Sequence, residues 1–120
     1  MSIADQYDEY TEAFDTAYDA LHEATSIANT TASITPPVLY QALGNLSAIA
    51  GFLQQILPSL ARSARTGGQQ LELYDSEGGN PAQQLESTTQ ILEDAAIAAG
   101  QLLHQLQAAH SEIASVGYRD

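Results

Sequence analysis

Residues 3–28 read IADQYDEYTEAFDTAYDALHEATSIA, and the spacing of the apolar and small residues in this stretch decides the fold. Ile3, Tyr7, Tyr10, Phe14, Ala17, Leu21, Ala24 and Ala28 follow one another at alternating steps of four and three. That is a heptad seam, the spacing that keeps one stripe of a helix facing a partner. Asp5, Asp8, Glu9, Glu12, Asp15, Asp19 and Glu23 all avoid the seam and take outward positions of the same heptad. The segment therefore reads as a strongly amphipathic helix from about residue 2 to 28. Asn29-Thr30-Thr31-Ala32-Ser33 follows as an exit loop.

Two more helices read outward from this one. Thr35 followed by Pro36 is N-cap and first-turn chemistry, because a missing N–H costs nothing there. Leu39, Leu43, Leu46, Ala50, Leu53, Leu57 and Leu60 then form a seam, widened by Ala42, Ile49 and Ile56. No charged residue lies between Glu23 and Arg62, so the second helix is expected to be the most buried. Pro58 is expected to kink it. Arg62 and Arg65 suit a helix C-terminus, and Gly67-Gly68 is expected to end the helix near residue 65. The same Arg residues are expected to satisfy end carbonyls or to pair with carboxylates of the first helix. The third helix starts at Asn80-Pro81 and runs to about residue 115. Leu85, Leu92, Ala99, Leu106 and Ile113 repeat every seven residues, with Thr88, Ala95, Leu102 and Ala109 in the other seam position. The fold class is thus all-α: an antiparallel three-helix bundle with long helices at about 2–28, 36–65 and 81–115, the second kinked at Pro58. The 120 residues fit one domain, 1–120, with a long loop at 66–80 between helices two and three. In that loop Leu71 and Leu73 alternate with polar residues, which suits a short extended segment.

Composition narrows the functions. The formal net charge is -12, from 15 acidic residues against three arginines, and there is no lysine and no cysteine. Disulfides and Cys-based metal sites are excluded for want of thiols. Direct nucleic-acid binding and adsorption to an anionic membrane are disfavoured, since both need clustered Lys and Arg. The uncharged stretch 38–61 is long enough for a membrane span, but Gln41, Asn45, Gln54, Gln55 and Pro58 interrupt it. The N-terminal residues show no basic and apolar leader pattern, so the expected location is cytoplasmic.

Motifs for chemistry are missing. A di-iron bundle needs Glu-x-x-His on inward faces, but here Gln101 precedes His104 and Gln107 precedes His110. There is no Gly-x-Ser-x-Gly elbow and no phosphate-binding Gly-rich loop with Lys. Asp75 and Glu77 are a chance pair in an acidic chain. The expectation is a protein that is no enzyme and takes no metal and no other cofactor. It would self-associate as a homo-oligomer or dock a protein partner of basic character. The candidate contact residues are Asp5, Asp8, Glu9, Glu12, Asp15, Asp19 and Glu23 on the first helix, with Leu71, Leu73 and Tyr74 in the loop. An alternative is an acidic inhibitor that mimics DNA and blocks a DNA-binding protein. A small metal-binding or enzymatic bundle is the third class.

The run Leu102-Leu103-His104-Gln105-Leu106-Gln107-Ala108-Ala109-His110-Ser111-Glu112-Ile113-Ala114, with 20 alanines overall and arginine as the only base, resembles the tails of small Ala-rich helical proteins. Such proteins are encoded by high-GC actinobacteria and their mobile elements. The resemblance implies an all-helical fold and no assigned activity.

Overall fold

The computed structural model describes residues 2–119. It is all-α, with three helices: α1 (Ile3–Thr30), α2 (Pro36–Gln70) and α3 (Pro81–Glu112). Two compact units divide the chain: Met1–Ile34, which contains α1, and Thr35–Asp120, which contains α2 and α3. None of the described helices is long and apolar enough to cross a membrane.

In the second unit α2 and α3 pack closely against each other. Their contacts define the register. A Cβ added to Gly44 would meet His110, one on Gly100 would meet Gln54, and one on Gly68 would meet Leu85. The paired numbers sum to 154, 154 and 153, so one helix descends as the other ascends: α2 and α3 form an antiparallel hairpin. The residues sealed between them are small. Ala50, Ala61, Ala96, Ala99 and Thr89 are the buried ones among the described residues. Thr89 has no exposed surface, and its hydroxyl donates to the Leu85 carbonyl at 2.8 Å, so no polar group is left unpaired there. Small side chains let the two backbones approach closely. Of the larger apolar residues, Leu43, Leu57, Leu85, Leu92 and Leu103 are half-buried, and Leu46 and Leu53 keep 42% and 40% of their surface.

Several expected features come out differently. α2 does not end near residue 65. It continues through Gly67-Gly68 to Gln70, and Leu71 N–H caps it by donating to the Gly67 carbonyl at 2.9 Å. Gly68 is helical because it faces Leu85, whose Cδ2 occupies the space a Cβ would need. The glycine serves close packing there and not termination. The loop is accordingly 71–80 and not 66–80, and α3 ends at Glu112, followed by a turn at 113–115. Pro58 lies inside one continuous helix. Thr35 occupies the N-cap position without a side-chain cap bond; Pro37 at N2 removes one of the two donors such a cap uses, and the N–H of Val38 at N3 is not taken up. Asn80 does cap α3, accepting from Gln83 N–H at 3.1 Å.

The arginine expectation is also corrected. Arg65 pairs across the hairpin with α3, 3.4 Å from Glu86 and 3.2 Å from Glu93. The hydrogen bond to Glu86 and the charges of both carboxylates push its guanidinium further above its ordinary value. Arg62 donates to Ser59 Oγ at 3.3 Å. The far end of the hairpin is closed by Tyr40 stacked on His110, ring centres 3.9 Å apart and 18° from parallel.

The helical glycines make a stability test. Gly51 and Gly67 have open space where a Cβ would stand. Gly51→Ala and Gly67→Ala should each raise unfolding free energy by about 0.5–1 kcal/mol, through helix propensity alone. Gly68→Val should lower it, since Leu85 and the α3 backbone behind it limit the room. Urea unfolding followed by circular dichroism separates the two outcomes. Equal behaviour of the three variants would refute the close-approach role of Gly68.

Candidate interaction surface

α1 begins at a formed cap. Ser2 Oγ accepts from Asp5 N–H at 3.1 Å, and Asp5 places its negative charge in the first turn, where the helix dipole favours it. Thr16, Thr25 and Thr30 turn their hydroxyls back onto carbonyls four residues earlier, at 2.8–2.9 Å, so their polar groups are satisfied within the helix. Thr31 ends the helix, its N–H donating to the Ile27 carbonyl.

The distribution of residue types around α1 is sharper than the seam alone indicates. With Tyr7, Phe14, Leu21 and Ala28 as heptad a, and Ile3, Tyr10, Ala17 and Ala24 as d, the seven carboxylates all fall at b, c and f. The flanking e positions are Ala4, Thr11, Tyr18 and Thr25, and the g positions are Gln6, Ala13, Ala20 and Ile27. Four of every seven positions therefore form one uncharged face. The opposite three carry all the charge. Two aromatic stacks run along α1: Tyr10 on Phe14 and Tyr18 on His22, each pair with centres 6.1 Å apart. A shallow depression of about 530 Å³ lies along the seam, lined by Ile3, Tyr7, Tyr10 and Phe14 with Gln6, Thr11 and Asp15 at its edge.

The predicted carboxylates are all exposed. Among the described residues, the ion pairs are those of Arg65 with Glu86 and Glu93. Pairs such as Asp8/Glu12, Asp15/Asp19 and Asp19/Glu23 remain like charges one turn apart, each costing a few tenths of a kcal/mol. The other half of the predicted site is separate in kind. Leu73 keeps 39% of its surface, Leu71 55% and Tyr74 87%. The loop is not strand-like along its length; Leu71 is extended, and a turn follows. In that turn Gly78 N–H donates to the Asp75 carbonyl at 3.1 Å and Gly79 N–H to its carboxylate. Gly78 takes a φ of +81°, the left-handed value that glycine adopts without strain. Asp75 thus organises the loop.

One surface was missed by the seam reading. On α2 and α3 the contacts Gln54–Gly100, Arg65–Glu86 and Gly44–His110 lie to one side of the hairpin. At 100° per residue, Leu46 and Leu53 of α2 and Ile91 and Leu102 of α3 project on the other side. They retain 40% to 63% of their surface and form a second apolar flank. A period-seven count detects Leu46, Leu53 and Leu102 but cannot say which half of a broad face the partner helix takes.

Among the described residues no group of three or more His, Cys, Asp or Glu is placed to hold a metal ion. Comparison with protein families, with curated proteins and with solved structures finds no match.

The charge pattern makes its own prediction. Glu23→Lys converts a repulsive Asp19 pair into an attractive one and adds a cation toward the helix C-terminus, so α1 should gain helicity. Ser2→Ala should lose about 1 kcal/mol of capping. Site-resolved amide exchange over residues 3–30 reads both; slower exchange in the alanine variant would contradict the cap.

Proposed function

We propose that this chain is a non-enzymatic helical interaction protein that associates with protein, including itself, through α1. The observation that carries this reading is the segregation of α1 into an uncharged, largely apolar face and an opposite face that carries all seven carboxylates. A single helix cannot bury its own apolar stripe, and most helix stability in proteins comes from packing that stripe. Exposed apolar patches of this kind mark association surfaces. The acidic face stays in water after such association and attracts a basic partner, chiefly by speeding encounter. The loop tip at Tyr74 offers an aromatic anchor of the type enriched at interfaces.

The DNA-mimic alternative is less well supported by charge density. Seven carboxylates between Asp5 and Glu23 span about 27 Å, or roughly one per 4 Å, against about one charge per 1.7 Å along duplex DNA. An acidic docking face for a basic protein needs no such density.

The test is capture from a host extract at low and high salt, using the parent chain and a variant with Asp8→Asn, Glu12→Gln, Asp15→Asn and Asp19→Asn. Basic partners should be lost from the variant and from the parent at high salt, because screened exposed charges steer weakly. If the variant keeps every partner, the acidic face only solubilises the protein.

A further inference from the structure

We infer that α1 is a dimerisation helix, whose apolar seam pairs antiparallel with the seam of α1 from a second copy. This rests on the interaction reading above and names the occupant of the uncharged face. Three observations point to a second copy.

The first is charge. A chain with a net charge of -12 should repel itself, yet the α1 face carries no charge at a, d, e or g. In a two-helix pair the b, c and f positions point away from the contact. Two copies of α1 therefore meet without placing carboxylates against each other, whereas a basic partner would find nothing to pair with on this face.

The second is volume. The seam is unequal along its length: Ile3, Tyr7, Tyr10 and Phe14 fill its first half, and Ala17, Ala24 and Ala28 occupy most of the second. Parallel copies would set ring against ring and leave the alanine half loosely filled. Antiparallel copies align Ile3 with Ala28, Tyr7 with Ala24, Tyr10 with Leu21 and Phe14 with Ala17, each pair of numbers summing to 31. Every layer then joins an a residue to a d residue. Large meets small in all layers but Tyr10–Leu21, the arrangement by which packed helices interdigitate without voids. The register is self-complementary, as a two-fold interface requires.

The third is area. Tyr7, Tyr10, Phe14 and Tyr18 keep 71%, 45%, 43% and 68% of their surface. At roughly 200 Å² per ring this leaves about 450 Å² of aromatic surface per copy. Ile3, Leu21 and Ile27 add aliphatic surface, at 76%, 42% and 58% exposed. Two copies together reach about 1,200 Å², the lower bound of stable specific interfaces.

The absence of cysteine makes the test direct. Full-length Tyr7→Cys and Ala24→Cys chains are mixed and oxidised, and mass measured by light scattering gives the oligomeric state of the parent. The parent should be a dimer. The mixture should yield the disulfide between position 7 of one copy and position 24 of the other, because antiparallel pairing separates the two position-7 residues by about 25 Å. Homodisulfides at position 7 in preference to the mixed product would overturn the antiparallel register. Ala17→Glu buries an unpaired charge in the seam and should weaken dimerisation roughly a hundredfold or more, with the hairpin's helical signal retained. A monomeric parent overturns the proposal. If that monomer still loses a captured protein partner on Ala17→Glu, the interaction reading survives and the self-pairing alone fails. If Ala17→Glu changes no association, both fail.

Discussion

The close approach of α2 and α3 depends on how little side-chain volume separates them. Ala50, Ala61, Ala96, Ala99 and Thr89 are sealed there, Gly68 meets Leu85, Gly100 meets Gln54, and leucines such as Leu43, Leu57, Leu92 and Leu103 are half-buried beside them. Each alanine contributes little area, so the hairpin's cohesion is spread over its length in many weak contacts. Its ends are held by other means: Tyr40 on His110 at one, and Arg65 between Glu86 and Glu93 at the other. The ion pairs are exposed and contribute orientation more than stability.

That economy has a consequence for function. Where the fully buried residues are small, large apolar side chains remain partly open, and Leu46, Leu53, Ile91 and Leu102 keep much of their surface. α1 presents the same logic in another form, with rings on one face and carboxylates on the opposite one. Exposed apolar surface of this kind is what the proposed association would cover, and net charge favours dispersion. The acidic positions b, c and f do not interfere with the neutral face, which is why one helix is able to serve two kinds of contact.

The helices were legible because heptad spacing survives in alanine-rich sequence: the steps of four and three in residues 3–28 and the sevenfold repeat from Leu85 to Ile113 need no knowledge of a partner. The helix stop at Gly67-Gly68 was misread for a physical reason. Glycine in a helix interior costs about 1 kcal/mol, which reads locally as a break, but contact with Leu85 across the hairpin offsets it. Thr35 takes the N-cap place as read, but its side chain makes no cap bond, and Pro37 at N2 leaves only one capping donor, Val38 N–H. The carboxylates of α1 were visible as an outward set, and their exposure follows from the same spacing. The apolar flank of the hairpin was not, because a broad apolar face has two halves and periodicity does not choose between them.

Sequence by itself determined the all-helical class, the three helices, the starts of α2 and α3 and the acidic face of α1, since each follows from local spacing and capping chemistry. Only the tertiary structure decided that the fully buried residues of the α2–α3 seam are small ones, that Arg65 answers to α3 and that Gly68 is a packing residue. Those choices depend on which residue lies opposite, and opposition is set by the register of two helices whose contacting residues are up to 70 positions apart, as Tyr40 and His110 are.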